Sequence, residues 1–276
     1  MVHVPSLIAM SPELLFWLSL ALKMAVTAGF VVSATYAAER AGPVVGAMIA
    51  TLPIAAGPAY FFVALDHDAA FIARSALSSL VVNVVTSVFA LIYAALAQRQ
   101  GRALSILPAL ATWLALAYVV QAFPWGTWSA LAFNIAGMAA CIALGNRFRH
   151  VRVPPPRQHW TDLLLRAGMV AALVAIVVTL SATVGPSVTG MLAVFPIVLL
   201  SLMLILHRRI GGPASAAVLS NTLLGMAGFS ATCLTAHLIV ERVGTPLGLT
   251  IALAVSIACN LAFWWVRRRQ ALAAAR

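Results

Sequence analysis

Residues Ala41-Gly42-Pro43-Val-Val-Gly-Ala-Met-Ile-Ala-Thr51-Leu-Pro53-Ile54 recur as Val184-Gly185-Pro186-Ser-Val-Thr-Gly190-Met-Leu-Ala-Val-Phe195-Pro196-Ile197. From Gly42 to Ile54 the two copies share seven identities at a constant offset of 143 residues, the distance from Pro53 to Pro196. Chance gives roughly one or two in so biased a composition, so the chain carries an internal repeat. The same offset, without a gap, pairs Lys23 with Arg166, Ser78-Ser79 with Asn221-Thr222, and Gly101 with Gly244. The duplication therefore extends well beyond the motif.

The flanking sequence says what kind of unit is duplicated. Of 276 residues, 63% are hydrophobic and only 8% charged, where a soluble domain is about a quarter charged. A bilayer span needs roughly 20 mainly apolar residues. Apolar runs between Gly/Pro and charged breaks predict an all-α, polytopic membrane bundle of nine spans, at 14–38, 43–65, 71–97, 104–122, 127–146, 161–183, 186–206, 213–240 and 245–266. Spans one to four then match spans six to nine, with span five between them. The domains are 1–122 (first repeat), 123–157 (connector helix and basic loop) and 158–276 (second repeat). An odd number of spans from one start to the next puts the two copies in opposite orientations.

Charge gives an independent reading of orientation. The net charge of +11 resides in short clusters between apolar runs, a pattern that orients helices and does not suggest nucleic acid. The richest cluster, Arg147, Arg149, Arg152 and Arg157, is assigned to the cytoplasm. Alternation then puts Arg40, Arg99, Arg102, Arg208, Arg209, Arg267, Arg268, Arg269 and Arg276 on that side too, against Arg74 and Arg242 on the other. The expected location is a bacterial inner membrane, with the N-terminus outside and the C-terminus cytoplasmic. Met1–Pro12 lacks the basic n-region of a cleavable signal peptide. Indoles favour the headgroup region: Trp17, Trp125 and Trp128 fall at the outer edge, Trp160, Trp264 and Trp265 at the inner, and Trp113 alone in mid-span.

Inverted repeats underlie many secondary transporters, whose sites form where matching spans are interrupted. Gly42-Pro43 opens span two and Pro53 interrupts it; Pro186 and Pro196 do the same in span seven. Interior proline removes a backbone hydrogen bond and clashes with the preceding turn. The central site residues are therefore Thr51, Pro53, Phe195 and Pro196. Spans three and eight contribute Ser79, Asn83 and Asn221 as a polar lining, with Thr86 and Ser87 near the same face, the alternative being that these groups only join helices. Lys23 and Arg166, at matching positions, attract an anion or snorkel to the interface; Asp162, four residues before Arg166, is placed to pair with it. The expected partners are membrane lipids and a small solute, with self-association into a homo-oligomer compatible and no nucleic acid.

Other chemistries lack their signatures. There is no P-loop, GxSxG or HExxH, so no enzyme, metal site or cofactor is expected. Cys141, Cys233 and Cys259 lie in apolar runs without metal-ligand spacing. His67, between Asp66 and Asp68, reads as a solvated outer loop, and His237 as a buried or interfacial histidine. No carboxylate lies in mid-span.

A basic residue early in the first helix of a repeat (Lys23, Arg166), followed by the Gly-x-x-x-x-x-Pro run from Gly190 to Pro196 within GMLAVFPIVLL, resembles the small GlpM-like membrane proteins of about four spans. The resemblance implies a four-span unit, here present twice with a connector. It implies no established substrate.

Overall fold

The computed structural model describes residues 11–40, 55–149, 151 and 159–274. The chain is helical: α1 (Pro12–Arg40), α2 (Ala56–Asp66), α3 (Ala69–Leu96), α4 (Arg102–Gln121), α5 (Thr127–Gly145) with a 3-10 turn (Asn146–Phe148), α6 (Trp160–Ala193), α7 (Ile197–Ile210), α8 (Gly212–Val243) and α9 (Thr245–Ala274). There is no strand among the described residues. Among the described residues, seven helical stretches are long and apolar enough to cross a bilayer by length and composition. The expected second span is described only through α2, and the first copy of the repeated motif, with Thr51 and Pro53, lies outside the described residues.

Seven stretches stand where nine were expected because the second span is described only through α2 and the sixth and seventh fall in the single stretch Trp160–Ile210. The helical stretch Trp160–Ala193 is two helices joined at Gly185, whose φ 75° and ψ 174° are not helical, a conformation glycine adopts without a Cβ penalty. Pro186 then starts a new helical arm at the position proline suits best. The chain reverses here. Asp162 Oδ2, near the start of α6, meets Arg209 Nη2, near the end of α7, at 2.6 Å; an uninterrupted helix would separate them by about 70 Å. The reversal falls between the expected spans 161–183 and 186–206. The returning span is itself broken, because helix stops at Ala193 and restarts at Ile197.

Packing centres on α3, which lies against α4, α5, α6 and α8. In lipid, helices associate through close packing and polar contacts, with no water-driven burial between them. Small residues accordingly mark the closest approaches. A Cβ on Gly190 would collide with the Ser75 carbonyl oxygen, and one on Gly212 with that of Ala97. Larger side chains fill the remaining space, with Phe89, Tyr93, Trp113, Leu219 and Leu223 in one cluster and Val31, Ile72, Val174, Val177 and Val240 in another. α1 is peripheral, its apolar surface largely exposed.

α3 and α8 run antiparallel. His237 Nδ1 donates to Ala73 O at one end, and at the other the close approach of Gly212 to Ala97 joins the helices. Between them Asn83 Nδ2 donates to Met226 O at 2.8 Å, across a separation of 143 residues. Two further contacts flank that point, Asn83 to Ser230 and Ser87 to Met226.

The bundle has two chemically different ends. One gathers the Asp68 cap of α3, His67 bonded to Ser181, Thr127 bonded to His237 and the Gly185 reversal. The other gathers Tyr93 bonded to His207, the Arg149 Nε–Ser220 O bond and the Asp162–Arg209 pair. Arg99, Arg102, Arg147, Arg208 and Arg209 belong to the second end by chain position, while Arg74 and Arg242 belong to the first.

Candidate functional site

The break at Val194-Phe195-Pro196 leaves backbone groups that helix geometry cannot satisfy, a costly condition in an apolar medium. Val194 N turns back to Met191 O, so the Gly190 carbonyl loses its usual partner. Ser79 supplies one, donating to Gly190 O at 2.7 Å. Since that hydrogen is committed, the contact of 2.7 Å between Tyr60 OH and Ser79 Oγ has the tyrosine as donor. Seven residues on, Thr86 Oγ1 donates to Val194 O at 3.2 Å and accepts from the buried Trp113 Nε1 at 2.9 Å. The Trp113 ring meets Phe195 edge to face, centroids 5.1 Å apart. The mid-span tryptophan thus braces the break.

The expected site residues separate into distinct environments. Phe195 is half-buried and Pro196 buried, both at the break, and Ser79 joins them through Gly190 O. Asn83, though only one turn from Ser79, faces α8, and Ser87 bonds Asn83 O beside Met138. The four polar residues of α3 therefore serve two interfaces and do not line one continuous path. Asn221 is exposed, its amide bonded back to Ala217 O on its own helix.

Lys23 is ion-paired to Asp66 at 2.9 Å. Asp162 reaches across to Arg209, contrary to its expected pairing with Arg166. An i, i+4 pair on a helix is weak, whereas the reversal brings an arginine directly opposite. Arg166 is half-buried and carries no ion pair among the described residues. Each ion pair ties the end of a short helix to a long one, α2 to α1 through Asp66–Lys23 and α7 to α6 through Arg209–Asp162.

The acidic loop Asp66-His67-Asp68 is engaged residue by residue. Asp66 holds Lys23, Asp68 Oδ1 accepts from Phe71 N, and His67 stacks on Phe71 while bonding Ser181. His237 Nδ1 must donate to the Ala73 carbonyl, so in the neutral ring Nε2 accepts from Thr127. Cys141 and Cys233 are buried, and Cys259 is partly so.

A cavity of about 240 Å³ opens beside the arm 186–193, between α3 and α4 at the Arg74 end. Its polar members are Arg74, Ser78, Gln121 and Ser187; its walls include Leu77, Val81, Val82, Val120 and Trp125. Gln121 Nε2 donates to Ser78 Oγ at 2.8 Å and to Ser187 O at 3.1 Å, and Ser78 Oγ donates to the same carbonyl at 2.6 Å. This network fastens the start of the arm to α3 and α4. Sequence reasoning used Arg74 and Trp125 only as orientation markers and passed over Gln121 and Ser187. The available signal was Arg74 itself, a cation on the end that should carry few. The chain matches no protein-family model, no curated protein and no solved structure.

Proposed function

We propose that this multi-pass protein is a secondary transporter or exporter of a small, negatively charged solute. On this reading it works by alternating access between two inverted four-helix copies, with its N-terminus outside and its C-terminus cytoplasmic. The observation that carries the reading is the broken helix: an interruption at Val194–Pro196 within an apolar stretch, the carbonyls beside it held by two hydroxyls of α3. Broken helices with side-chain-supported ends are where transporters place solutes and hinge their gates.

The α3–α8 crossing supports the inverted arrangement. If residue i and residue i + 143 are equivalent by a two-fold axis in the membrane plane, they meet where that axis passes between the helices. Asn83 and Met226 do so. Exchange of the copies turns the Asn83–Ser230 contact into the Met226–Ser87 contact, and both occur. The enrichment of arginine at one end of the bundle supports the orientation through the positive-inside rule.

A non-transporting membrane scaffold or lipid-handling protein is the second reading. It is favoured by one observation: Ser79, Asn83, Thr86 and Ser87 are all engaged in hydrogen bonds between or along helices. The test is solute exchange in proteoliposomes loaded with a panel of organic anions. Saturable exchange that depends on the protein is expected; no exchange for any solute supports the scaffold.

A further inference from the structure

We propose that the cavity between α3 and α4 is a binding site for a small carboxylate bearing a neighbouring hydrogen-bond donor, the chemistry of a short 2-hydroxy or 2-amino acid. The proposal deepens the transport reading by naming a solute class and a place for its recognition. It is argued from which polar groups the cavity leaves unused.

Gln121 spends its amide hydrogens on Ser78 and Ser187. Because one acceptor is a backbone carbonyl, the NH₂ orientation is fixed by chemistry and not by choice of amide flip. Oε1 is then the acceptor left over, and it has no partner among the described residues. Trp125 Nε1 is committed to Val120 O, so the indole offers only its apolar face. Arg74 is exposed, lines the cavity, and has no ion pair among the described residues.

A cation at this end opposes the orientation signal, and the nearby carboxylates do not neutralise it: Asp66 is paired with Lys23 and Asp68 caps α3. The unused set is one guanidinium, one amide oxygen and an apolar wall of Leu77, Val81, Val82 and Val120. A guanidinium matches a carboxylate in a two-pronged fork. The amide oxygen requires a donor on the ligand. A doubly charged phosphate would leave uncompensated charge against the valines. The cavity is small, about 240 Å³, which suits a solute of few carbons.

Isothermal titration of the purified full chain in detergent tests the site with 2-hydroxybutyrate, butyrate, butylamine, inorganic phosphate and a short-chain phosphatidylglycerol. Saturable binding of 2-hydroxybutyrate is expected, with butyrate several-fold weaker because Gln121 Oε1 loses its partner. Butylamine and phosphate should not bind measurably. Arg74→Gln should weaken 2-hydroxybutyrate about tenfold or more, and Arg74→Lys should recover only part of that loss, because an ammonium keeps the charge without the fork. Arg74 is exposed and has no ion pair among the described residues, so both variants should keep the wild-type unfolding midpoint. Absence of carboxylate binding, equal affinity in Arg74→Gln, or tighter binding of phosphate or phosphatidylglycerol would overturn the proposal. Binding without exchange in proteoliposomes leaves the site standing and removes transport; exchange of 2-hydroxybutyrate indifferent to Arg74→Gln keeps transport and removes the site.

Discussion

Replacing Thr86 by valine tests the brace at the broken helix. The two side chains have nearly the same shape, so no cavity forms, but the substitution removes one acceptor and one donor together. Trp113 Nε1 loses its partner at 2.9 Å and Val194 O loses its partner at 3.2 Å, and both residues are buried. Interhelical bonds in lipid average about 0.6 kcal/mol with a maximum near 1.7, while an orphaned buried group in a protein core costs about 1 to 3 kcal/mol. Two orphans next to a proline, where the backbone cannot re-pair by extending its helix, belong toward the upper part of the first range. We expect a loss of about 2 to 3 kcal/mol. Thr86→Ser keeps both bonds and removes one methyl group, for about 0.8 kcal/mol. Equilibrium unfolding in mixed micelles, titrated with a denaturing detergent, measures both. If Thr86→Val lies within about 0.5 kcal/mol of wild type, or Thr86→Ser costs as much, the brace does not support the break.

Other substitutions probe the neighbouring contacts. Gly190→Ala drives a methyl group into the Ser75 carbonyl oxygen and should cost about 1 to 3 kcal/mol; Gly168→Ala, where a Cβ meets nothing within 4 Å, should be neutral or stabilising by up to about 1 kcal/mol. Asn83→Leu removes two bonds from α3 to α8 and should cost about 1 to 2 kcal/mol in the same titration. Asp162→Asn should destabilise more than Asp66→Asn, because Asp162 is 22% exposed and Asp66 49%, and an exposed pair is worth at most about 1 kcal/mol.

The spans were legible because bilayer thickness imposes a length and apolar character on each. Thus the expected 71–97, 104–122 and 127–146 correspond closely to α3, α4 and α5. Gly185-Pro186 announced the reversal, and Pro196 announced the break, since both residues constrain the backbone whatever surrounds them. Side-chain partners were not legible in the same way. Helical periodicity put Ser79, Asn83, Thr86 and Ser87 near one another, but it could not say that one pair meets the broken span and the other meets α8. Asp162 illustrates the same limit: its local partner Arg166 was visible in the sequence, and its actual partner Arg209 depended on the chain doubling back. The cavity was missed because Arg74, the one polar member out of keeping with its end, does not by itself reveal its surroundings; Gln121 and Ser187 matter through what they hold together.

The central claim is that the two ends of the bundle open reciprocally around the broken span. Pulsed electron–electron resonance between spin labels on the full chain reads this directly, once Cys141, Cys233 and Cys259 are replaced by alanine. One label pair, at Phe123 and Ser187, flanks the cavity, and a second, at Gln98 and Arg208, flanks the opposite end; all four positions are exposed. Alternating access predicts two distance populations for each pair, with the longer distance at one end rising as the longer distance at the other falls when conditions change. A single narrow distance at both ends under every condition would contradict it.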